Sequence, residues 1–141
     1  MKVSDVMSTN IVSIDPQETA AAAARLLARH NVGVLPVCKG GKLQGVVTDR
    51  DLVLRCVAAG LAPDSTVVGQ VMTRRVVSVS PQEDVAVAAQ KMAAEQVRRL
   101  PVVENRMLVG LVSLGDLAKQ PDYSMEAAAC LCDVCENITA R

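Results

Sequence analysis

The sequence predicts an α/β protein made of two tandem β-α-β-β-α repeats, packed sheet to sheet with pseudo-twofold symmetry, and a short C-terminal tail helix. Three observations carry that prediction. Residues recur at an offset of 65, from Pro16 to Pro81 (81 − 16 = 65), and likewise from Met7 to Met72, Pro36 to Pro101, Gly45 to Gly110 and Asp51 to Asp116. No gap is needed to match Asp5–Leu52 with Gln70–Leu117, which marks a duplicated structural unit. Short Val- and Leu-rich runs alternate with segments of helical period, so strands and helices follow one another within each repeat. Finally, a sheet as small as one repeat supplies cannot bury its own strands, so two repeats must pack together.

Each repeat reads the same way in order. A short turn, Val3-Ser4-Asp5-Val6-Met7 or Val68-Gly69-Gln70-Val71-Met72, opens it. A strand follows at Ile11-Val12-Ser13-Ile14 or Val76-Val77-Ser78-Val79. Asp15-Pro16-Gln17-Glu18 and Ser80-Pro81-Gln82-Glu83 then read as helix starts, each with an N-cap, Pro at the first helical position and an acid at the third. The helices carry apolar stripes Ala20, Ala23, Ala24, Leu27 and Val85, Ala88, Ala89, Met92. The second strand, Val34 to Cys38 or Leu100 to Val103, contains a proline and belongs at an edge or a strand start. Turns at Lys39-Gly40-Gly41-Lys42 and Glu104-Asn105-Arg106-Met107 lead into third strands at Leu43 to Val47 and Leu108 to Val112. A last helix runs from Asp49 to about Ala59 and stops at Gly60; its copy is cut short by Pro121. The first repeat thus spans 1–60, a linker 61–67, the second repeat 68–120, and a cysteine-containing tail 121–141.

Composition limits the chemistry. Half of the 141 residues are apolar, yet there is no Phe or Trp and only Tyr123, so the core must be Val, Leu, Ile, Ala and Met. The formal net charge is zero, which gives no general attraction to nucleic acid or to acidic membranes, and neither is expected as a partner. No run is long enough to span a membrane, and the first residues do not form a signal peptide. Five cysteines, three of them crowded into the tail, argue against a secreted disulfide framework; a cytoplasmic location is expected. The sequence contains no Ser-His-Asp or Cys-His set, no paired-acid signature and no phosphate-binding glycine loop, so no catalytic residues are assigned.

The stretches Gly45-Val46-Val47-Thr48-Asp49-Arg50-Asp51-Leu52 and Gly110-Leu111-Val112-Ser113-Leu114-Gly115-Asp116-Leu117 stand out. Each is an apolar strand running into a hydroxyl residue with an aspartate three positions later, at the head of a helix. Free backbone N–H groups there favour an anion, and the aspartate can accept hydrogen bonds from ribose hydroxyls. Thr-x-x-Asp and Ser-x-x-Asp are equally capping boxes that satisfy the helix's own donors. Both readings stay open at this point.

Taken with Val-Leu-Pro-Val and Arg-Leu-Pro-Val before them, these residues resemble a CBS-domain pair, also called a Bateman module, over roughly residues 1 to 120. The resemblance extends to stand-alone CBS-pair proteins, which lack a catalytic domain and generally dimerise as flat discs. It implies a reversible adenosine-containing ligand, such as AMP, ADP, ATP or S-adenosylmethionine, and no resident cofactor. It implies as partners a second copy of the chain and a regulated protein. Thr48 would hold phosphate, with Arg50 assisting, and Asp51 the ribose. Val76, Val77 and Ser78 would surround the adenine, close to Pro101, with Arg98 and Arg99 reaching phosphate. A second, weaker site would combine Ser113 and Asp116 with Ile11, Val12, Ser13, Val34 and Pro36. The counterparts of Arg98, Arg99 and Arg50 there are Gly33, Val34 and Gly115, so the Asp51 site is expected to be the tighter for charged nucleotides.

His30 closes a helix, where a cation suits the helix dipole, and Cys38 and Cys56 read as small core residues. Arg74 and Arg75, with Arg98 and Arg99, read equally as a solvated basic face. In the tail, Cys130, Cys132 and Cys135 raise an alternative function, a thiol-based metal or redox sensor with the repeats as a dimerising scaffold. In a helix Cys132 and Cys135 share a face while Cys130 lies about 200° from Cys132, so no metal is assigned to the three. A docking or dimerisation helix is the expected role of the tail.

Overall fold

A computed structural model describes residues 1–120 of the chain; the tail helix expected beyond them, with Cys130, Cys132 and Cys135, lies outside the described residues. In chain order the elements are α1 (Val3–Val6), α2 (Ala20–His30), β1 (Val34–Lys39), β2 (Lys42–Thr48), α3 (Asp49–Leu52) and a π-helical turn (Val53–Val57). There follow α4 (Val68–Val71), α5 (Val85–Glu95), β3 (Arg99–Glu104), β4 (Met107–Ser113) and α6 (Leu114–Ala118). The tandem α/β organisation is the one the sequence predicts.

The chain forms two compact units, Val12–Val76 and Met1–Ile11 joined with 77–120. These units are out of phase with the sequence repeats. α4, which opens the second repeat, completes the Val12–Val76 unit, and α1, which opens the first, completes the other. Backbone hydrogen bonds hold each one in place. The N–H of Val68 donates to the Glu18 carbonyl at 2.8 Å, that of Gly69 to Pro16 at 2.9 Å, and that of Ala20 to Thr66 at 2.8 Å. In the other unit Val3 donates to Glu83 at 2.9 Å, Ser4 to Pro81 at 3.0 Å and Val85 to Met1 at 3.0 Å.

This clamp corrects the expected helix starts. Thr19 is held extended beside Val67 and the Glu18 carbonyl accepts from the Val68 N–H, so α2 begins only at Ala20, capped by Thr19, whose Oγ1 accepts from the Ala22 N–H at 3.0 Å. Asp84 caps α5 in the same way, accepting from the Ala86 N–H at 2.9 Å. Asp15-Pro16 instead makes an Asx turn, with Asp15 Oδ1 accepting from the Gln17 N–H at 2.8 Å. The expected stripe is buried in α5, whereas Ala24 of α2 is exposed and only Ala20, Ala23 and Leu27 face inward.

Each unit contains one antiparallel hairpin, β1 with β2 and β3 with β4. The expected first strands contribute a single bridging residue each, Ile14 beside Val37 and Val79 beside Val102. Proline is tolerated in β1 because Pro36, though buried, stands opposite Val46 at a register position whose backbone N and carbonyl point away from β2. The Pro36 carbonyl accepts from the Ile14 N–H at 3.0 Å, and Val46 exchanges bonds with Thr73 at 2.9 and 2.8 Å. The missing N–H therefore removes no hairpin bond. Pro101 repeats this arrangement beside Val79. Leu35, Val37 and Val47 fill the core of one unit with Ala23, Val68 and Val71; Leu100, Val102 and Val112 fill that of the other with Ala88, Met92 and Val3. The last helix of the first repeat changes from α to π form after Leu52 and leaves Val53, Leu54 and Val57 exposed.

Glycine at 45 is required by close approach. A Cβ there would lie 2.4 Å from the Thr73 carbonyl oxygen, a backbone atom held by its bond from Val46. At Gly110 the nearest atom is the flexible Met7 Sδ at 2.7 Å, with the Ser8 carbonyl at 3.0 Å. Gly45→Ala is expected to destabilise the protein by about 2–3 kcal/mol and Gly110→Ala by less, as measured by urea denaturation.

Candidate functional site

The Thr48-x-x-Asp51 stretch sits where β2 ends and α3 begins. Thr48 keeps the extended conformation of the strand (φ −114°, ψ 162°), which aims its hydroxyl at the head of the helix. Its Oγ1 accepts from the Asp51 N–H at 2.9 Å, and its own N–H donates to Asp51 Oδ2 at 3.1 Å. The capping box is thus formed. Asp51 is only 7% exposed, and a carboxylate so buried needs partners. Thr73 supplies one, its hydroxyl lying 3.1 Å from both carboxylate oxygens, and Arg55 Nε lies 3.8 Å from Oδ1. Arg55 is itself anchored, donating through Nη1 to the Met72 carbonyl at 3.0 Å. No buried side-chain nitrogen or oxygen among the described residues lacks a partner.

Ser113 and Asp116 repeat the box at the head of α6. The Asp116 N–H donates to Ser113 Oγ at 3.0 Å and the Ser113 N–H to Asp116 Oδ2 at 2.9 Å. The outer partners differ. The positions matching Thr73 and Arg55 are Ser8 (73 − 65) and Gln120 (55 + 65), and among the described residues neither bonds to Asp116. Asp116 is half-buried and keeps Oδ1 available, so it can accept from a ligand diol without losing an internal bond. At Asp51, the single Thr73 hydroxyl proton is shared between the two oxygens.

The hairpins decide which of the other residues lie nearby. Val34 pairs with Thr48, and the Asp49 N–H donates to the Gly33 carbonyl at 3.0 Å. Arg99 pairs with Ser113, and the Leu114 N–H donates to the Arg98 carbonyl at 2.7 Å. Arg98 and Arg99 therefore stand beside Ser113, within the unit that also contains Val77, Ser78, Pro101, Asp116 and Ile11. Thr48, exposed Arg50 and Asp51 share their unit with Val12, Ser13, Val34, Pro36 and Val76. The sequence reading drew each site from both repeats, joining Thr48, Arg50 and Asp51 with Val76, Val77, Ser78, Pro101, Arg98 and Arg99. Within each unit, antiparallel pairing puts Arg98 and Arg99 beside the head of α6 and Gly33 and Val34 beside the head of α3. Sequence reasoning missed Arg55 and Thr73. The i, i+4 spacing of Asp51 and Arg55 is a legible signal for the first. Thr73 is 22 residues from Asp51 and had none.

Beside Asp51 an open cavity of about 740 Å³ is lined by Arg55, Gly69, Gln70, Met72, Thr73, Arg74 and Arg75. Among the described residues no three His, Cys, Asp or Glu side chains are placed to hold a metal. His30 lies exposed in the last turn of α2. Burial pushes the Cys38 thiol up, partly offset by a hydrogen bond with Ser13, and Cys56 is buried.

The two boxes predict unequal costs of truncation. Asp51→Ala removes the side-chain half of the capping box and leaves the Thr73 hydroxyl and Arg55 without their acceptor, so a loss of about 2–4 kcal/mol is expected; Asp116→Ala removes the half-box alone, at about 1 kcal/mol. Equal losses in urea titrations would contradict this difference in wiring.

Comparison with known proteins places the geometry in a family. The family model for the CBS domain matches residues 3–57 and 68–122. The chain is 41% identical over 132 residues to the CBS domain-containing protein YhcV of Bacillus subtilis, covering 94% of each chain. It is 32% identical over 123 residues to Hypoxic response protein 1 of Mycobacterium tuberculosis, covering 86% of each. Among solved structures, that of Hypoxic Response Protein I with two coordinated zinc ions is similar with a TM-score of 0.77 at 32% identity, over 84% of this chain and 98% of that one. The CBS domain pair of protein MJ0100 in complex with 5-methylthioadenosine and S-adenosyl-L-methionine is similar with a TM-score of 0.71 at 28% identity, over 84% and 94% of the two chains. Two matched segments at the 65-residue offset, each holding one hydroxyl–aspartate box, establish that the chain belongs to the CBS-domain family as a tandem pair.

Proposed function

We propose that this CBS pair is a regulatory, non-catalytic module that binds an adenosine-containing ligand reversibly, AMP, ADP, ATP or S-adenosylmethionine, with no resident cofactor. The observation that carries the reading is the carboxylate at the head of a helix in each unit, set in a box with a hydroxyl residue at the end of an apolar strand. Asp51 and Asp116 are the ribose acceptors in this proposal. Thr48, Arg50 and Val76 accompany the first, while Arg98, Arg99, Val77 and Ser78 stand in the unit of the second. The neighbour solved with S-adenosyl-L-methionine supports the ligand class. Control would follow by population shift, since a ligand favours whichever conformation it binds better. A second copy of the chain is the proposed first partner, meeting the exposed Val53, Leu54 and Val57, and a regulated protein the next. The working compartment is the cytoplasm. No helix among the described residues is long and apolar enough to cross a membrane, and neither membrane nor nucleic acid is among the proposed partners.

A second reading rests on Cys130, Cys132 and Cys135 and on the neighbour that holds two zinc ions: a thiol-based metal or redox sensor scaffolded by the pair. Metal analysis of the purified protein and of its triple serine variant separates it from the first.

The deciding experiment is a thermal-shift panel with AMP, ADP, ATP, S-adenosylmethionine and GMP as control, each variant read against its own ligand-free value. A ligand present at one hundred times its Kd stabilises the folded state by about 2.7 kcal/mol. Such a rise is expected with at least one adenosyl ligand, and it should shrink in Asp51→Ala or Asp116→Ala. A flat panel on folded protein would overturn the proposal.

A further inference from the structure

We infer that Thr73 is an internal latch on one of the two proposed adenosyl sites. Its hydroxyl holds the Asp51 carboxylate in the ligand-free protein. A ligand's ribose enters by displacing that hydroxyl, and so loosens residues 71–76, the segment that ends the Val12–Val76 unit. The inference rests on the adenosyl reading above. It names the residue that sets the affinity of one site and ties the filling of that site to movement of the chain.

Thr73 is no part of the Thr48–Asp51 box, yet its Oγ1 stands 3.1 Å from each Asp51 oxygen, where a ligand hydroxyl must also donate. The carboxylate is buried, and in a low dielectric a hydrogen bond to a charged acceptor is strong and costly to give up without a replacement. A ribose diol brings two hydroxyl donors in exchange for the one that Thr73 withdraws, so the buried carboxylate is not left short. The same carboxylate anchors a second arm. Arg55 Nε lies 3.8 Å from Asp51 Oδ1, while Arg55 Nη1 donates to the Met72 carbonyl at 3.0 Å and reaches the Val71 carbonyl at 3.5 Å. Val71, Met72 and Thr73 are therefore tied to Asp51 through two side chains. The Thr73 backbone is held separately, by its exchange with Val46 at 2.8 and 2.9 Å, so displacing the hydroxyl loosens the segment without detaching it.

The duplicate unit supplies the comparison. Ser8, at the position matching Thr73, makes the same backbone exchange with Leu111, at 2.8 and 2.9 Å. Its residue is exposed, however, and among the described residues Asp116 is bonded only through Ser113. The backbone frame is common to both units and the latch belongs to one. A latch that is closed in most molecules weakens the apparent affinity by the fraction in which it is open. The Asp116 site bears no such cost. Filling it leaves the Ser8 segment as it is, whereas filling the Asp51 site loosens residues 71–76.

The test is isothermal titration of the full chain with S-adenosylmethionine and with AMP, in Asp116→Ala so that the Asp51 site alone is read. Adding Thr73→Val, which removes the hydroxyl, is expected to tighten binding at least about tenfold, the worth of one competing bond to a carboxylate. Adding Thr73→Ser, which keeps the hydroxyl, leaves Kd within about threefold. A residue that merely supports the fold gives unchanged or weaker binding in Thr73→Val, and either result overturns the latch. In Asp51→Ala, which leaves the Asp116 site, Thr73→Val is expected to change nothing; tightening there too would overturn the assignment to Asp51. Failure of both probes to bind the unchanged chain is a different result: it overturns the adenosyl reading, and the latch with it. Should Thr73→Val lose its circular dichroism spectrum, amide hydrogen exchange in Asp116→Ala decides. Saturation with the probe that binds is expected to speed exchange at Thr73 and Val46 at least about threefold relative to Ser8 and Leu111, and equal or slower exchange would overturn the inference.

Discussion

The structure depends on the way each short opening helix is clamped by backbone hydrogen bonds to the turn and helix start of the other sequence repeat. Three such bonds per unit, each contributing about 0.5–1.5 kcal/mol net, are modest as energies. Their consequences are larger. They hold Thr19 and Asp84 extended, which postpones α2 and α5 and makes those two residues the caps. They also bring Val68 and Val71, or Val3, into cores that contain no Phe or Trp. A core of small aliphatic residues cannot close without those contributions.

The clamp also carries the chain past α4 to Thr73, and there the two units stop being equivalent. Thr73 reaches back over Gly45, exchanges two backbone bonds with Val46 and gives its hydroxyl to Asp51. In the other unit Ser8 makes the same backbone exchange with Leu111, but Asp116 remains without that third partner. One duplicated motif has therefore become two different carboxylates, one buried and also bonded by Thr73, the other half-buried and, among the described residues, bonded only through its own box. A ligand diol at Asp51 must compete with Thr73, whereas at Asp116 it meets no such competitor. The two heads will not respond to one ligand in the same way.

Positive charge is distributed just as unevenly. β3 brings Arg98 and Arg99 to the head of α6, where the other unit has Gly33 and Val34. Arg55, Arg74 and Arg75 belong instead to the cavity beside Asp51. Each unit has its own cationic patch, built from different elements, in a chain whose charges cancel overall.

Much of this was legible in the sequence. The 65-residue offset, the hairpin turns at Gly40-Gly41 and Asn105-Arg106, the edge prolines and the two hydroxyl–aspartate boxes are local patterns, and local patterns are set by backbone stereochemistry within a few residues. The helix starts were misplaced because Asp15-Pro16 satisfies the same local rules as a cap, and only a partner fifty residues away decides otherwise. Likewise, Thr-x-x-Asp alone did not distinguish a capping box from a ligand reader; the box itself is formed in both units, but the number of carboxylate oxygens left over depends on Thr73 and Arg55. The sequence by itself determined the duplication, the order of the elements and the chemistry at the head of each second helix. Tertiary structure alone decided which repeat completes which unit, where the arginines gather and which aspartate is free, because those outcomes depend on backbone partners brought together from distant parts of the chain.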